Sequence, residues 1–140
     1  MAREHAVVRT SNHVRITLDG TTVGLMQNLR ASDDYGMEPV SGIGDIHVVE
    51  HVPTVARHNL SVSFACLRRD LLISKGFVPE NGDAALKGLV FDIEVYDKRD
   101  NELIKKYMKC SYASGDVSFD AHRVIVRNAT FMAIDTSGKI

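Results

Sequence analysis

Alternation of apolar and polar positions is the strongest signal in the chain. In HVRITL, residues 13–18, Val14, Ile16 and Leu18 share one face while His13, Arg15 and Thr17 share the other, the period of a half-buried strand. Asp19-Gly20 then predicts a tight turn, and 21–29 is the natural returning strand of a hairpin. HNLSVSFACL repeats the pattern, with His58, Leu60, Val62 and Phe64 opposite Asn59, Ser61 and Ser63. The period then changes: Leu67, Leu71 and Ser74 recur at helix spacing, and Lys75-Gly76 gives a basic last turn and a stop, which predicts a helix over 66–75. A short helical piece is predicted at 83–87. GLVFDIEVYD (88–97) sets Phe91, Ile93 and Val95 against Asp92, Glu94 and Tyr96. Residues 102–114 and 121–135 predict two closing strands, the latter with Val124 and Val126 opposed to Arg123, Ile125 and Arg127. Residues 136–140 read as a loose tail.

Residues 30–46, RASDDYGMEPVSGIGDI, break this regularity. Glycines, a proline and acids interrupt any period, yet Tyr35, Met37, Val40 and Ile43 punctuate the stretch. A long loop is uncommon in a compact domain, and one that mixes acids with apolar anchors reads as a contact arm. HVVEHVP (47–53) follows as an extended segment that Pro53 ends. Six or seven strands with one helix predict a mainly β fold, a β-sandwich or partly open barrel, as a single domain over 1–140.

Composition adds bounds. At 140 residues, 44% apolar, 25% charged and a net charge of -1, the chain has the make-up of an ordinary globular domain. Such balance gives no argument for a nucleic-acid binder and opposes self-association little. No apolar stretch approaches a membrane span, and the first ten residues lack the apolar core of a secretory signal. Cys66 and Cys110 are in unrelated contexts beside apolar residues, which predicts two buried, reduced thiols.

Candidate chemistry thins out on inspection. Gly42 and Gly44 in SGIGDIHVVEHVPT precede an extended segment, whereas a phosphate loop needs glycines entering a helix, with a lysine to follow. They read as the hinge of the arm, with Asp45 anchoring the turn. His47 and His51 share a strand face but stand about 13 Å apart by strand rise, too far for one metal ion. Asp92 and Glu94 share a polar face without a tryptophan platform or anything that raises either pKa. There is no GxSxG elbow. The short basic clusters, Arg68-Arg69 among them, are flanked by acids and lack the aromatic signature of an RNA-binding sheet. No catalytic, cofactor-binding or metal-binding residue is assigned. A chain with polar strand faces, a mixed arm and no site chemistry works through edges and loops, by joining copies of itself.

This order of features resembles the tail tube proteins of contractile-tailed bacteriophages, related in fold to the ring-forming tube protein of type VI secretion. The likeness rests on the opening hairpin, the loop through DDYGMEPVSGIGD, the strand HVVEHVP, the unit NLSVSFACLRRDLLISKGF, then GLVFDIEVYD and the strands to TFMAID. The resemblance implies a virion protein assembled in the host cytoplasm, whose copies form hexameric rings stacked into a hollow tail tube. Double-stranded DNA would pass without stable binding. Further implied partners are a sheath protein, a tape measure protein, the baseplate and a tail terminator. Asp33, Asp34, Tyr35, Met37, Ile43 and Asp45 would form the inter-subunit loop. Asp92 and Glu94 would face the lumen, and Arg68 and Arg69 the sheath. Lys105, Lys106 and Lys109 depart from a simple acidic lumen: they would face neighbours or sheath, or the lumen is mixed in sign. Alternatives are a secretion-type or non-contractile tube protein, a small β-fold enzyme, or a monomeric adaptor.

Overall fold

The computed structural model describes residues 9–21, 25–66 and 76–140. The strands are β1 (Val14–Leu18), β2 (Leu25–Asp34), β3 (Glu38–Val40), β4 (Glu50–Val52), β5 (Arg57–Ala65), β6 (Phe91–Asp97), β7 (Glu102–Ser118), β8 (Val126–Ala133) and β9 (Asp135–Gly138). Among the described residues the one α-helix, α1 (Gly82–Ala85), is short and is capped by the side chain of Asn81, which accepts from the Ala84 N–H at 3.0 Å. The helix predicted over 66–75, with Arg68 and Arg69, lies outside the described residues but for Cys66.

The main sheet runs β1-β6-β7-β8-β5-β2, all antiparallel, with β9 also on β7, and β3 and β4 form a separate ribbon. The predicted opening hairpin is only a turn. Asp19 and Gly20 both take positive φ, and Leu18 and Thr21 exchange backbone hydrogen bonds of 2.9 and 3.0 Å. Beyond it the chain leaves: β1 pairs with β6, whereas β2 pairs with β5 at the far end of the strand order. Turn chemistry at 19–20 fixes two residues, and burial of each strand's apolar face chooses its partner.

The two ends of this strand order, β1 and β2, line one groove, so the sheet curls back on itself. Its concave face holds the core. Leu18 of β1, Ile93 and Phe91 of β6, Cys110 of β7, Phe131 of β8 and Leu60 and Val62 of β5 form one cluster. Phe91 packs edge-on to Phe131 at 5.2 Å between ring centres, and Phe77 and Tyr112 extend the ring stack. Strand β7 serves both halves. Its first part pairs with β6 and β9, and 111–118 pairs with β8. Register shifts occur near Lys109, which takes φ 52, and between Tyr112 and Ser114.

The face assignments from alternation hold for β5 and for Phe91 and Ile93. They reverse for β8. Ala129, Phe131 and Ala133 are the buried set, so Arg127 falls on the core side and Val126 on the outer side. Arg127 is accommodated because it sits at the strand's end, 5.9 Å over the Tyr112 ring. Of residues 136–140, read as a loose tail, 136–138 pair with β7 as part of β9, and the Lys105 Nζ donates to the Ile140 carbonyl at 2.6 Å. Of the two thiols, Cys110 is buried as expected, and burial pushes its pKa up to about 12. Cys66, just past the end of β5, is exposed.

Asp97 closes the β6–β7 turn. Its carboxylate accepts from the Arg99 backbone N–H at 2.9 Å and from the Arg99 side chain, and pairs with Arg9 at 2.9 Å. These bonds outweigh its burial and hold its pKa below the usual carboxylate value. A depressed folded-state pKa adds stability that is complete above about pH 4 and is lost as pH falls through and below that value. Acid titration of stability by urea unfolding should therefore be steeper for the natural chain than for Asp97→Asn below about pH 4; identical acid limbs would contradict this.

Candidate functional site: an acidic arm and a polar wall

The stretch expected to be a loop over 30–46 is partly paired, at 30–34 and 38–40. Residues 30–34 belong to β2, and β3 with β4 continues outward as a ribbon, so the feature is a β-arm. Register explains why the sequence pattern was missed. Strand β3 is three residues long and carries Pro39, too short and too interrupted for a period to register. Strand β4 is likewise shorter than the predicted 47–53, beginning at Glu50.

The arm's joint is at Gly36. Asp34 Oδ1 accepts the Gly36 N–H at 2.9 Å, and the Thr54 N–H donates to the Tyr35 carbonyl at 3.0 Å. Gly36 takes φ 57, and a Cβ there would collide with the Thr54 hydroxyl, which itself donates to the Gly36 carbonyl at 2.5 Å. Sequence reasoning missed this joint, though Asp34-Tyr35-Gly36 carries the signal of a side-chain-capped turn. The hinge expected at Gly42 and Gly44 is instead the arm's tip. There the Gly42 N–H donates to Asp45 Oδ2 at 2.8 Å, the Asp45 N–H donates to the Gly42 carbonyl at 3.1 Å, and Gly44 takes φ 90.

Of the loop residues singled out by sequence, Asp33 and Asp34 are engaged within their own chain. Asp33 meets the buried His58 ring nitrogen at 2.6 Å, with Tyr35 edge-on to that ring at 6.0 Å. Met37, Ile43 and Asp45 lie further out on the arm, where every residue from 37 to 57 is exposed. The apolar ones are the anomaly: Ile43 and Ile46 are essentially fully exposed (110% and 94%), and Val40, Val48, Val49, Val52 and Val55 are also uncovered. So many exposed apolar side chains on one arm mark a candidate contact surface. His47 and His51 sit on this exposed arm, and among the described residues no group of three or more His, Cys, Asp or Glu could hold a metal ion.

The convex face of the curled sheet is mostly polar, with Val126 and the half-exposed Met132 of β8 as its apolar members. On the β2-β5-β8-β7 side it presents Ser61 and Ser63, Asn128 and Thr130, Ser111 and Ser114, with Arg30 and Asp116 as charged members. Ser63 Oγ donates to Asn128 Oδ1 at 2.7 Å, and Asn128 Nδ2 donates to Asp116 Oδ1 at 2.8 Å, a ladder crossing three strands. Asp92 and Glu94 lie on β6, three places from β5 in the strand order and so on the opposite side of the curl. Both are occupied locally. Asp92 pairs with Lys106 at 3.6 Å and accepts the Lys109 N–H at 3.0 Å. Glu94 accepts from the Tyr96 hydroxyl, which raises the Tyr96 pKa. Arg15 stacks over the Tyr96 ring at 5.0 Å.

A polar outer wall, a core sealed inside and an apolar arm with nothing covering it describe a subunit built to be joined to others. Comparison with known proteins decides which kind. A model of the Phi812 tail tube protein family matches residues 3–137. The chain belongs to that family. It is a structural component of a bacteriophage virion that forms the tail tube, and its role is not enzymatic. A relative, virion protein 5 of Enterococcus phage phiEF24C, is 26% identical over 133 residues, covering 95% of this chain and 94% of that one. The tail of an empty gene transfer agent particle, refined with C6 symmetry, contains a chain that matches with a TM-score of 0.69 at 12% identity, over 95% of this tail tube protein and 100% of that chain. The tube-terminating cap of the anti-feeding prophage gives 0.67 at 15% identity, over 98% and 93%. The sheath–tube complex of an extracellular contractile injection system in its extended state gives 0.66 at 12% identity, over 94% and 90%.

Arm residues with no covering surface contribute little to the fold of the isolated chain. Ile43→Ser combined with Ile46→Ser should leave the urea unfolding free energy within about 0.5 kcal/mol. The same variant should reduce tube formation, read by sedimentation and negative-stain microscopy. Undiminished tubes would remove the arm tip from the contact.

Proposed function

We propose that copies of this tail tube protein close into hexameric rings, that the rings stack through the arm, and that DNA passes through a lumen walled by the β2-β5-β8-β7 side. The observation that carries this reading is the pairing of an uncovered apolar arm with a convex wall of hydroxyl and amide side chains. The C6 symmetry of the gene transfer agent tail supports the ring number by analogy of fold. The arm projects along the direction of β2 and β5, so a copy that sets this side of its sheet around an axis points its arm toward a neighbour.

A lumen for DNA has to avoid holding it. Phosphates bind fixed cations by releasing counterions, so a cationic wall would retard passage. Ser61, Ser63, Thr130 and Asn128 offer weak, replaceable hydrogen bonds and no charge, which suits transit. Asp92 and Glu94 then face away from the lumen, where their pairing with Lys106 and Tyr96 gives a surface of mixed sign for a sheath or neighbouring copies. The related sheath–tube complex supports a sheath as partner. Arg68 and Arg69 remain candidates for the same contact, and a tape measure protein, baseplate and terminator complete the expected set. The likeness to an injection-system tube would equally suit a secretion-type tube, but the phiEF24C relative is a virion protein, which favours a phage tail.

Added charge tests the wall. Tubes of Ser61→Lys with Thr130→Lys should retain double-stranded DNA at low salt and release it steeply as salt rises. Tubes of Glu94→Lys should resemble the natural chain. Retention by Glu94→Lys and not by the double variant would overturn the wall assignment. A purified chain that gives no rings or tubes at any concentration would overturn the assembly reading itself.

A further inference from the structure

The groove between β1 and β2, where the curled sheet fails to close, has a volume of about 1010 Å³. Its lining is partly apolar, with Val14 and Ile16 from β1, Met26 and Leu29 from β2, and Ile104 and Tyr107 from β7. Its charged members are Arg9, Arg15, Lys98 and Lys105 against one carboxylate, Asp33, which is already engaged by His58. Arg9 is held by Asp97, Arg15 by the Asn101 side-chain oxygen and the Tyr96 ring, and Lys105 by the Ile140 carbonyl, which leaves Lys98 as the groove cation for an incoming acid. Both flanking strands are edges of the main sheet: among the described residues β1 pairs only with β6, and β2 only with β5. Their outer backbone groups face the opening. An edge beside an apolar trough is the setting in which an extended segment can be added.

The arm has the complementary make-up. Residues 34–56 contain four acids, Asp34, Glu38, Asp45 and Glu50, and no lysine or arginine. Its apolar side chains are uncovered, so the chain's own groove does not take its own arm. The arm is itself extended, and at about 3.3 Å per residue the stretch from Asp34 to Ile43 reaches up to roughly 30 Å, enough to enter an adjacent copy.

We propose that the seam groove between β1 and β2 is the receptor for the arm of a neighbouring copy, which seats Ile43 and Ile46 on its apolar floor with Glu38 and Glu50 toward Lys98. This rests on the tube reading and adds the receiving surface to it. Arm and groove are different surfaces, so the contact is heterologous and propagates from copy to copy instead of closing as a two-fold pair. It also accounts for two features with one event: the apolar arm loses its exposure, and the open seam of the sheet is filled.

A photo-crosslinking side chain at position 43 tests the contact in assembled tubes of the full chain, prepared from mixed isotope-labelled and unlabelled copies. Adducts between copies should fall on residues 14–16, 26–31 or 95–107. The yield should drop about fivefold in Lys98→Glu and recover when Glu50→Lys is added, as coupled charges do. Tubes that form normally but crosslink position 43 elsewhere, or a yield indifferent to the charge exchange, would overturn the groove assignment and leave the tube reading standing. A chain that neither assembles nor crosslinks would overturn both.

Discussion

Strand β7 has to serve two halves of a sheet that face each other across one core, and the fold depends on how it turns. Its seventeen residues pair first with β6 and β9 and then with β8. Extra residues near Lys109 and between Tyr112 and Ser114 bend it without breaking it. The Asp92 carboxylate takes up the Lys109 N–H left by the first shift, and Gly115 admits the close approach of Tyr112 and the Asn128 carbonyl after the second. Once β7 turns, Phe91 can meet Phe131, and Leu18 can share a core with Leu60. A straight β7 would leave two half-covered apolar faces in place of one sealed interior.

The curl divides labour between the two faces of the sheet. The core cluster lies on the concave side, so the convex side is free to be largely polar, with Val126 and Met132 the apolar exceptions on β8. That freedom is what allows opposite sides of one small chain to meet different surroundings. The β5 side carries hydroxyls and amides linked in a ladder, and the β6 side carries paired charges. The curl also leaves a seam, because β1 has only five residues and does not reach β2 as a partner. In a monomer, an open seam and a bare apolar arm would both be defects. Under the proposed seam contact they are the two halves of one joint in a tube.

Alternation made β5 and β6 legible because each has one buried face, and the acidic, apolar-studded character of the arm was plain in DDYGMEPVSGIGD. What stayed hidden was pairing. Asp19-Gly20 specified a turn, and nothing local revealed that β2 would leave β1 for β5. The face of β8 was misread because Val124 and Val126 dominate the approach and start of the strand, while its buried parity is carried later by Phe131 and the small Ala129 and Ala133. Bulges shift parity inside β7, so its lysines could not be placed by counting. The arm's joint at Gly36 was overlooked in favour of Gly42 and Gly44, because two glycines in a row of three attract more notice than one glycine whose constraint comes from Thr54.

The central claim is that the convex wall of β2-β5-β8-β7 encloses the lumen while the arm bridges to a neighbouring copy. A cryo-electron microscopy reconstruction of tubes assembled from the purified chain tests it most directly. The account predicts stacked six-fold rings with Ser61 and Thr130 on the inner surface and the tip at Ile43 buried in the β1–β2 groove of an adjacent copy. A lumen lined by Asp92 and Glu94, or an arm projecting free of its neighbours, would contradict it.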